Sequence, residues 1–142
     1  MFLKEVGDII HDLVGPLGNP GEITYYGRVC IVGGGVAIAS AYERARRLKD
    51  AGNSIVAIIG AKTAKSLIYR EEFRSLSNDL YITTEDGSEG VRGYVSDAFT
   101  ELLNSGKRFD LEVVSKYLSL SYSISHMYYY ACECYDCLEH YG

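Results

Sequence analysis

Apolar and polar positions divide the chain into short buried strands separated by amphipathic stretches. Arg28-Val29-Cys30-Ile31-Val32 is an apolar run bounded by Gly27 and the triplet Gly33-Gly34-Gly35, and the good helix formers Ala41 to Leu48 follow. That order predicts a buried strand, a tight turn and a helix. Within the helix Ala39, Tyr42, Ala45, Arg46 and Lys49 recur at spacings of three and four, and Ala51-Gly52-Asn53 supplies a stop. Ser54 to Ile59 is free of charge and of turn residues, as expected of a strand buried on both faces of a parallel sheet. Ser66 to Leu76 reads as a second helix, with Leu67, Ile68, Phe73 and Leu76 turned inward and Arg70, Glu71, Glu72 and Arg74 solvated. Leu80 to Thr83 is a third strand, Tyr94 to Asn104 a third helix ending at Gly106, and Asp110 to Val114 a fourth strand. The sequence β-α-β-α-β-α-β with short links predicts an α/β fold, a parallel sheet with right-handed crossovers and strand order 3-2-1-4 plus an unassigned fifth element.

The flanks differ from this body. Ile9 to Val14 reads as a short strand, and Gly15-Pro16-Leu17-Gly18-Asn19-Pro20-Gly21 after it is a loop of residues that cannot continue one. With nothing to pair with, it looks like the last strand of a unit whose beginning is missing. Leu118 to Ser125 alternates apolar residues with serine, a strand pattern, although a helix is also open. Seven of the 13 tyrosines fall between Tyr117 and Tyr141, a break in composition. Native divergence accounts for it, and so does a shifted reading frame near Glu112.

The glycine triplet carries candidate chemistry. Residues without side chains let a pyrophosphate approach backbone N–H groups, while the start of the following helix adds unpaired donors and the positive end of its dipole. The dinucleotide fingerprint G-x-G-x-x-G is half met: Gly33 and Gly35 fit, but the third position is Ile38. The second strand ends at Gly60-Ala61-Lys62 and lacks the acidic residue that would bind a ribose hydroxyl, which disfavours an ordinary Rossmann dehydrogenase. A strand-to-helix turn without any nucleotide satisfies the same pattern. Thr84 to Gly93, with three glycines beside Asp86 and Ser88, is a loop at the carboxyl edge of the sheet, where ligands of open α/β sheets sit.

At 142 residues the chain is about one domain in size, and a net charge of -5 without a basic cluster argues against nucleic-acid binding. No run approaches the roughly 18 apolar residues of a membrane span, and Met1 to Leu13 lacks the pattern of a secretory signal. These features give the expectation of a soluble, cytoplasmic protein without a disulfide framework. Cys30 reads as a small buried apolar residue. Cys132-x-Cys134-x-x-Cys137-x-x-His140 offers four soft or borderline ligands suited to zinc or an iron–sulfur cluster, with the thiols of Cys132, Cys134 and Cys137 as candidate metal ligands. A frayed terminus with reactive thiols is the competing reading. No Ser-His-Asp or paired-carboxylate constellation stands out.

Three stretches coincide in order and spacing: Gly15-Pro16-Leu17-Gly18, the glycine turn from Val32 to Ala39, and Asp86-Gly87-Ser88-x-Gly90-x-x-Gly93. Together they resemble the ferredoxin-NADP reductase superfamily. Within it the similarity is to the dihydroorotate dehydrogenase electron-transfer subunit, the small subunit of NADH-dependent ferredoxin-NADP oxidoreductase, and the gamma subunit of sulfhydrogenases. The resemblance implies a Rossmann-like three-layer sandwich over residues 22–114, a remnant of a flavin-binding β-barrel over 1–21, and an atypical tail over 115–142. It puts an NAD or NADP pyrophosphate over Gly33, Gly34, Gly35 and Ala37, and the adenosine end near Gly60, Ala61 and Lys62. Asp86, Gly87 and Ser88 would lie beside the nucleotide, and Lys62 and Lys65 would be placed to meet a 2′-phosphate. Gly15, Pro16, Leu17 and Gly18 would be the remnant of a flavin contact.

By the same resemblance the intact protein moves hydride between NAD(P)H and FAD, then electrons through a [2Fe-2S] cluster to a partner oxidoreductase or hydrogenase subunit. This chain alone would be inactive. The family's Gly-Pro turn is absent after Asp110, which reads Leu111-Glu112-Val113-Val114-Ser115-Lys116 instead. The alternative from a different class is a non-enzymatic interaction domain that keeps the fold without binding nucleotide.

Overall fold

In a computed structural model, residues 21–115 are described; the predicted strand at 9–14, the Gly15 to Gly18 loop, the 118–125 alternation and the cysteine trio lie outside them. The described chain forms β1 (Arg28–Gly34), α1 (Ile38–Asp50), β2 (Ser54–Ala61), α2 (Arg70–Leu76), β3 (Asp79–Thr84), β4 (Val91–Arg92), α3 (Val95–Asn104) and β5 (Leu111–Ser115). All pairings are parallel, and the sheet order is β4-β3-β2-β1-β5. The predicted order 3-2-1-4 is thus present, its fourth strand being β5. The described sheet also has a two-residue strand, β4, inside the stretch read as a loop.

Alternation along the strands separates two cores. Val29, Ile31, Ile55, Ala57, Ile59, Leu111 and Val113 face α1 and α2, where they meet Ile38, Ala41, Ala45, Leu48 and Phe73. Cys30, Val32 and Ile58 face the other way and pack on Val95, Ala98, Phe99 and Leu102 of α3. The result is three layers with the sheet in the middle, and each large side chain so buried contributes about 1.5–3 kcal/mol. The buried stripe of α1 is Ile38, Ala41, Ala45 and Leu48, so the spacing read from Ala39 and Arg46 was displaced: Arg46 is exposed and pairs with Glu43.

The second helix is shorter than expected. Residues 64–66 make a single 3-10 turn, and α2 starts only at Arg70, because Tyr69 takes the left-handed conformation (φ 56°) and interrupts the helical path. Tyr69 stacks on Tyr42 with ring centroids 5.0 Å apart. Ile68, expected inside, is 39% exposed; Phe73 is the fully buried residue of this segment.

The amino edge of the sheet is tied by one device used three times. Asn53, Asn78 and Asp110 each stand just before a strand, and each side chain accepts N–H groups from the neighbouring strand or the residues leading into it. Asn53 Oδ1 accepts from Tyr26 (2.6 Å) and Gly27 (3.0 Å), Asn78 Oδ1 from Ile55 (2.9 Å), and Asp110 Oδ2 from Arg28 (2.7 Å). Short polar side chains are suited to this because they satisfy backbone donors that the parallel ladder leaves open.

Candidate functional site

The strand order reverses direction between β1 and β5: the first two crossovers run one way with helices on one face, and the third returns on the other face through α3. In open α/β sheets the crevice at the carboxyl ends beside such a switch point is where ligands bind. The glycine turn lies there. Gly33 is buried, and a Cβ on it would stand 3.1 Å from Ala41 Cβ and 3.2 Å from Ile38 Cα, so its bareness lets α1 press on β1. Gly35 does something different. Its φ is +59° and a Cβ would meet nothing within 4 Å, so the backbone turns sharply beside open space.

A 3-10 turn over Gly35–Ala37 leads into α1, whose first turn carries no acidic residue and whose start has no side-chain cap. Its first N–H groups therefore have no acceptor from a capping side chain. At the other long helix, Asp97 of α3 turns back to accept the Tyr94 N–H at 2.9 Å. One helix start is already occupied by its own carboxylate; the other, beside the glycine turn, has no side-chain cap, and its first N–H, from Ile38, turns back to Gly35 O and Val36 O.

The flanking loops complete the edge. A Cβ on Gly60 would stand 2.3 Å from Thr83 Oγ1 and 2.6 Å from Val95 Cγ1, so Gly60 is bare for packing against β3 and α3. Ala61 is buried, whereas Lys62 and Lys65 are exposed and form no ion pair among the described residues. Ser88 Oγ accepts the Ala64 N–H at 2.7 Å and donates to Asp86 Oδ1 at 2.6 Å, while the Ser88 N–H reaches the same oxygen at 2.9 Å. These two Ser88 donors hold the Asp86 carboxyl below its usual range. Gly87 lies against the aliphatic stem of Arg92.

Several residues at this edge carried no signal in the pattern alone. Ser40 Oγ lies 2.9 Å from Ala37 O and 2.7 Å from Ser115 Oγ, joining the start of α1 to the end of β5 at the switch point. Thr83 Oγ1 is buried without a hydrogen-bond partner among the described residues. Arg92 stands in register with Thr84, which in turn pairs with Ala61. Among the described residues, no cluster of His, Cys, Asp and Glu could hold a metal, and no helix is long and apolar enough to cross a membrane.

No protein-family model matches the chain. The dihydroorotate dehydrogenase B (NAD(+)) electron transfer subunit homolog of Thermotoga maritima is 50% identical over 111 residues, covering 78% of this chain and 39% of the relative. The corresponding electron transfer subunit of Bacillus caldolyticus is 38% identical over 97 residues, 66% of this chain and 37% of the relative. A solved structure of NADH-dependent reduced ferredoxin-NADP oxidoreductase matches with a TM-score of 0.67 and 46% identity, over 79% of this chain and 40% of that one. The described domain is homologous to the corresponding part of these electron-transfer proteins. The C-terminal domain of a Pyrococcus furiosus hydrogenase shares the fold, with a TM-score of 0.55 at 20% identity, over 70% of this chain and 82% of that domain. The chain spans under two-fifths of the length of the two curated relatives, so their similarity bears on the domain described and not on the rest of those proteins.

Proposed function

We propose that the domain binds a nicotinamide nucleotide along the carboxyl edge of its sheet, as the nucleotide-binding part of a flavin and iron–sulfur electron-transfer subunit. The observation that carries this reading is the uncapped start of α1 beside an open, left-handed Gly35, at the point where the strand order reverses. Gly33, Gly34, Gly35 and Ala37 would receive the pyrophosphate on backbone N–H groups, and Gly60, Ala61 and Lys62 the adenosine end. In the whole protein the chemistry supplied by the bound groups is hydride transfer between NAD(P)H and FAD and one-electron passage through a [2Fe-2S] cluster to a partner oxidoreductase or hydrogenase subunit. The domain's own residues do not take part in bond making. They hold the nucleotide in place through backbone donors.

The test is calorimetric titration of the chain with NAD and with NADP, repeated for Gly35→Asp and Gly35→Asn. Both substitutions meet the same open space, and Asn and Asp tolerate the left-handed conformation better than other side chains. Saturable binding lost in the aspartate variant and largely kept in the asparagine variant is the expected result, because only the carboxylate repels a pyrophosphate. Binding unaffected by either change would move the nucleotide off the glycine turn. No binding of either nucleotide would favour an interaction domain that keeps the fold alone.

A further inference from the structure

Asp86 and Ser88 are the polar side chains that the family resemblance places beside a nucleotide; both are exposed, yet their hydrogen bonds run to each other and to the neighbouring loop. The Ser88 hydroxyl has one proton and gives it to Asp86, and it accepts the Ala64 N–H. The Asp86 N–H is bonded to Lys62 O at 3.2 Å, and the Glu85 N–H to Ala61 O at 3.2 Å. One residue further on, Glu89 forms an ion pair with Arg70 at the start of α2. Its backbone closes a ring with Thr84 Oγ1, which donates to Glu89 O at 2.7 Å and accepts the Glu89 N–H at 3.1 Å. Two loops from different strands, 62–69 after β2 and 85–90 after β3, are therefore joined at both ends.

From this we infer that Ser88 is a positioning residue: its hydroxyl acts as a clasp that fixes the loop after β2, where Lys62 stands, and it does not itself touch the nucleotide. The inference rests on the nucleotide reading of the carboxyl edge. It assigns to the Asp-Gly-Ser stretch a role that contact recognition would not give it. A loop fixed before the ligand arrives loses less conformational entropy on binding, so the clasp acts on affinity without adding a contact.

Two substitutions break the same bond from opposite sides. Ser88→Ala removes the acceptor. Ala64→Pro removes the donor and leaves Ser88 untouched; Thr63 before it is extended (φ -140°, ψ 161°) and Ala64 opens the 3-10 turn, both of which suit proline. Ser88→Thr keeps the hydroxyl. The experiment titrates the full chain and each variant with NAD and NADP, and follows exchange of the amides of residues 62–66 in the unliganded protein.

Expected are a loss of affinity on the order of tenfold for both nucleotides in Ser88→Ala and in Ala64→Pro, faster exchange in the loop in both variants, and recovery in Ser88→Thr. If Ala64→Pro binds as well as wild type while Ser88→Ala does not, Ser88 touches the ligand directly and the inference falls. It falls equally if both variants speed exchange without changing affinity. Failure of the wild-type chain to bind either nucleotide refutes the underlying nucleotide reading, and the clasp with it.

Discussion

Two glycines at the carboxyl edge are bare for opposite reasons, and that difference can be measured. Gly60 is buried among fixed atoms: an added methyl would stand 2.3 Å from a threonine oxygen and 2.6 Å from a valine methyl that are both held in the core. Gly35 borders open space and is constrained only by its backbone angle. Gly60→Ala should therefore destabilise the fold by about 1–3 kcal/mol through overpacking. Gly35→Ala should cost about 1–2 kcal/mol, the backbone term alone. Urea unfolding of both variants checks the pair, and the contrast is sharpest in what relieves the damage. Thr83→Ser should recover none of the Gly60→Ala loss, since the hydroxyl that is struck remains, whereas Val95→Ala should recover part of it. A Gly60→Ala variant as stable as wild type would mean that β3 and α3 shift freely at this edge. Cys30 illustrates a residue whose reading from sequence needed no correction. Burial, reinforced by Glu112 nearby, pushes its thiol up to about 12, leaving a small apolar side chain in the core with no thiolate character near neutral pH.

At the scale of elements, the amino edge offers a ranking among chemically similar side chains. Asn53 is 2% exposed and uses both ends of its amide: it accepts from Tyr26 and Gly27, and donates to Thr24 O and Leu48 O, each at 2.8 Å. Asn78 is exposed, accepting from Ile55 N and Lys49 Nζ. Asn53→Ala should cost about 2–3 kcal/mol, since it strands buried backbone groups, and Asn78→Ala about 1 kcal/mol, since water replaces the lost acceptor. Thermal or urea melts that reverse this order would show that burial does not govern these clasps. None of the three clasps was legible beforehand, because an Asx before a strand looks like any turn residue until its neighbour in space is known. The strands themselves were legible: Val29 to Val32 and Ile55 to Ile59 are apolar on both faces, which only a sheet covered by helices on both sides requires. Helix limits were less so. The start of α2 is set by left-handed Tyr69, whose stacking on Tyr42 is a tertiary contact that no local spacing announces. The glycine turn was found because a tight backbone path needs particular residues, while Ser40, Ser115 and Arg92 stayed hidden because their partners come from other strands.

The two edges of the whole molecule are built differently, which fixes where a bound nucleotide would be felt. The amino edge is closed: Asn53, Asn78 and Asp110 cross-link successive strands, and Asp79 lies within ion-pair distance of Arg28 (3.7 Å) and Lys107 (3.9 Å). The carboxyl edge keeps an uncapped helix start and an open glycine, with Lys62 and Lys65 outside any ion pair among the described residues. Local opening draws on such under-satisfied segments, whereas amides in a cross-linked core exchange only through global unfolding. A ligand on the carboxyl edge should thus slow exchange at residues 33–38 first, since the loop after β2 is already clasped by Ser88 before a ligand arrives. At 100 times its dissociation constant it should add about 2.7 kcal/mol to global stability, which is felt equally by every amide that exchanges through complete unfolding. Residues 54–56, at the amino end of β2, should report only that global increment. Exchange measured by mass spectrometry with and without saturating NAD or NADP separates the two contributions. Protection in excess of the global term at the amino edge, with none at 33–38, would place the ligand at the opposite end of the strands and overturn the assignment of the glycine turn.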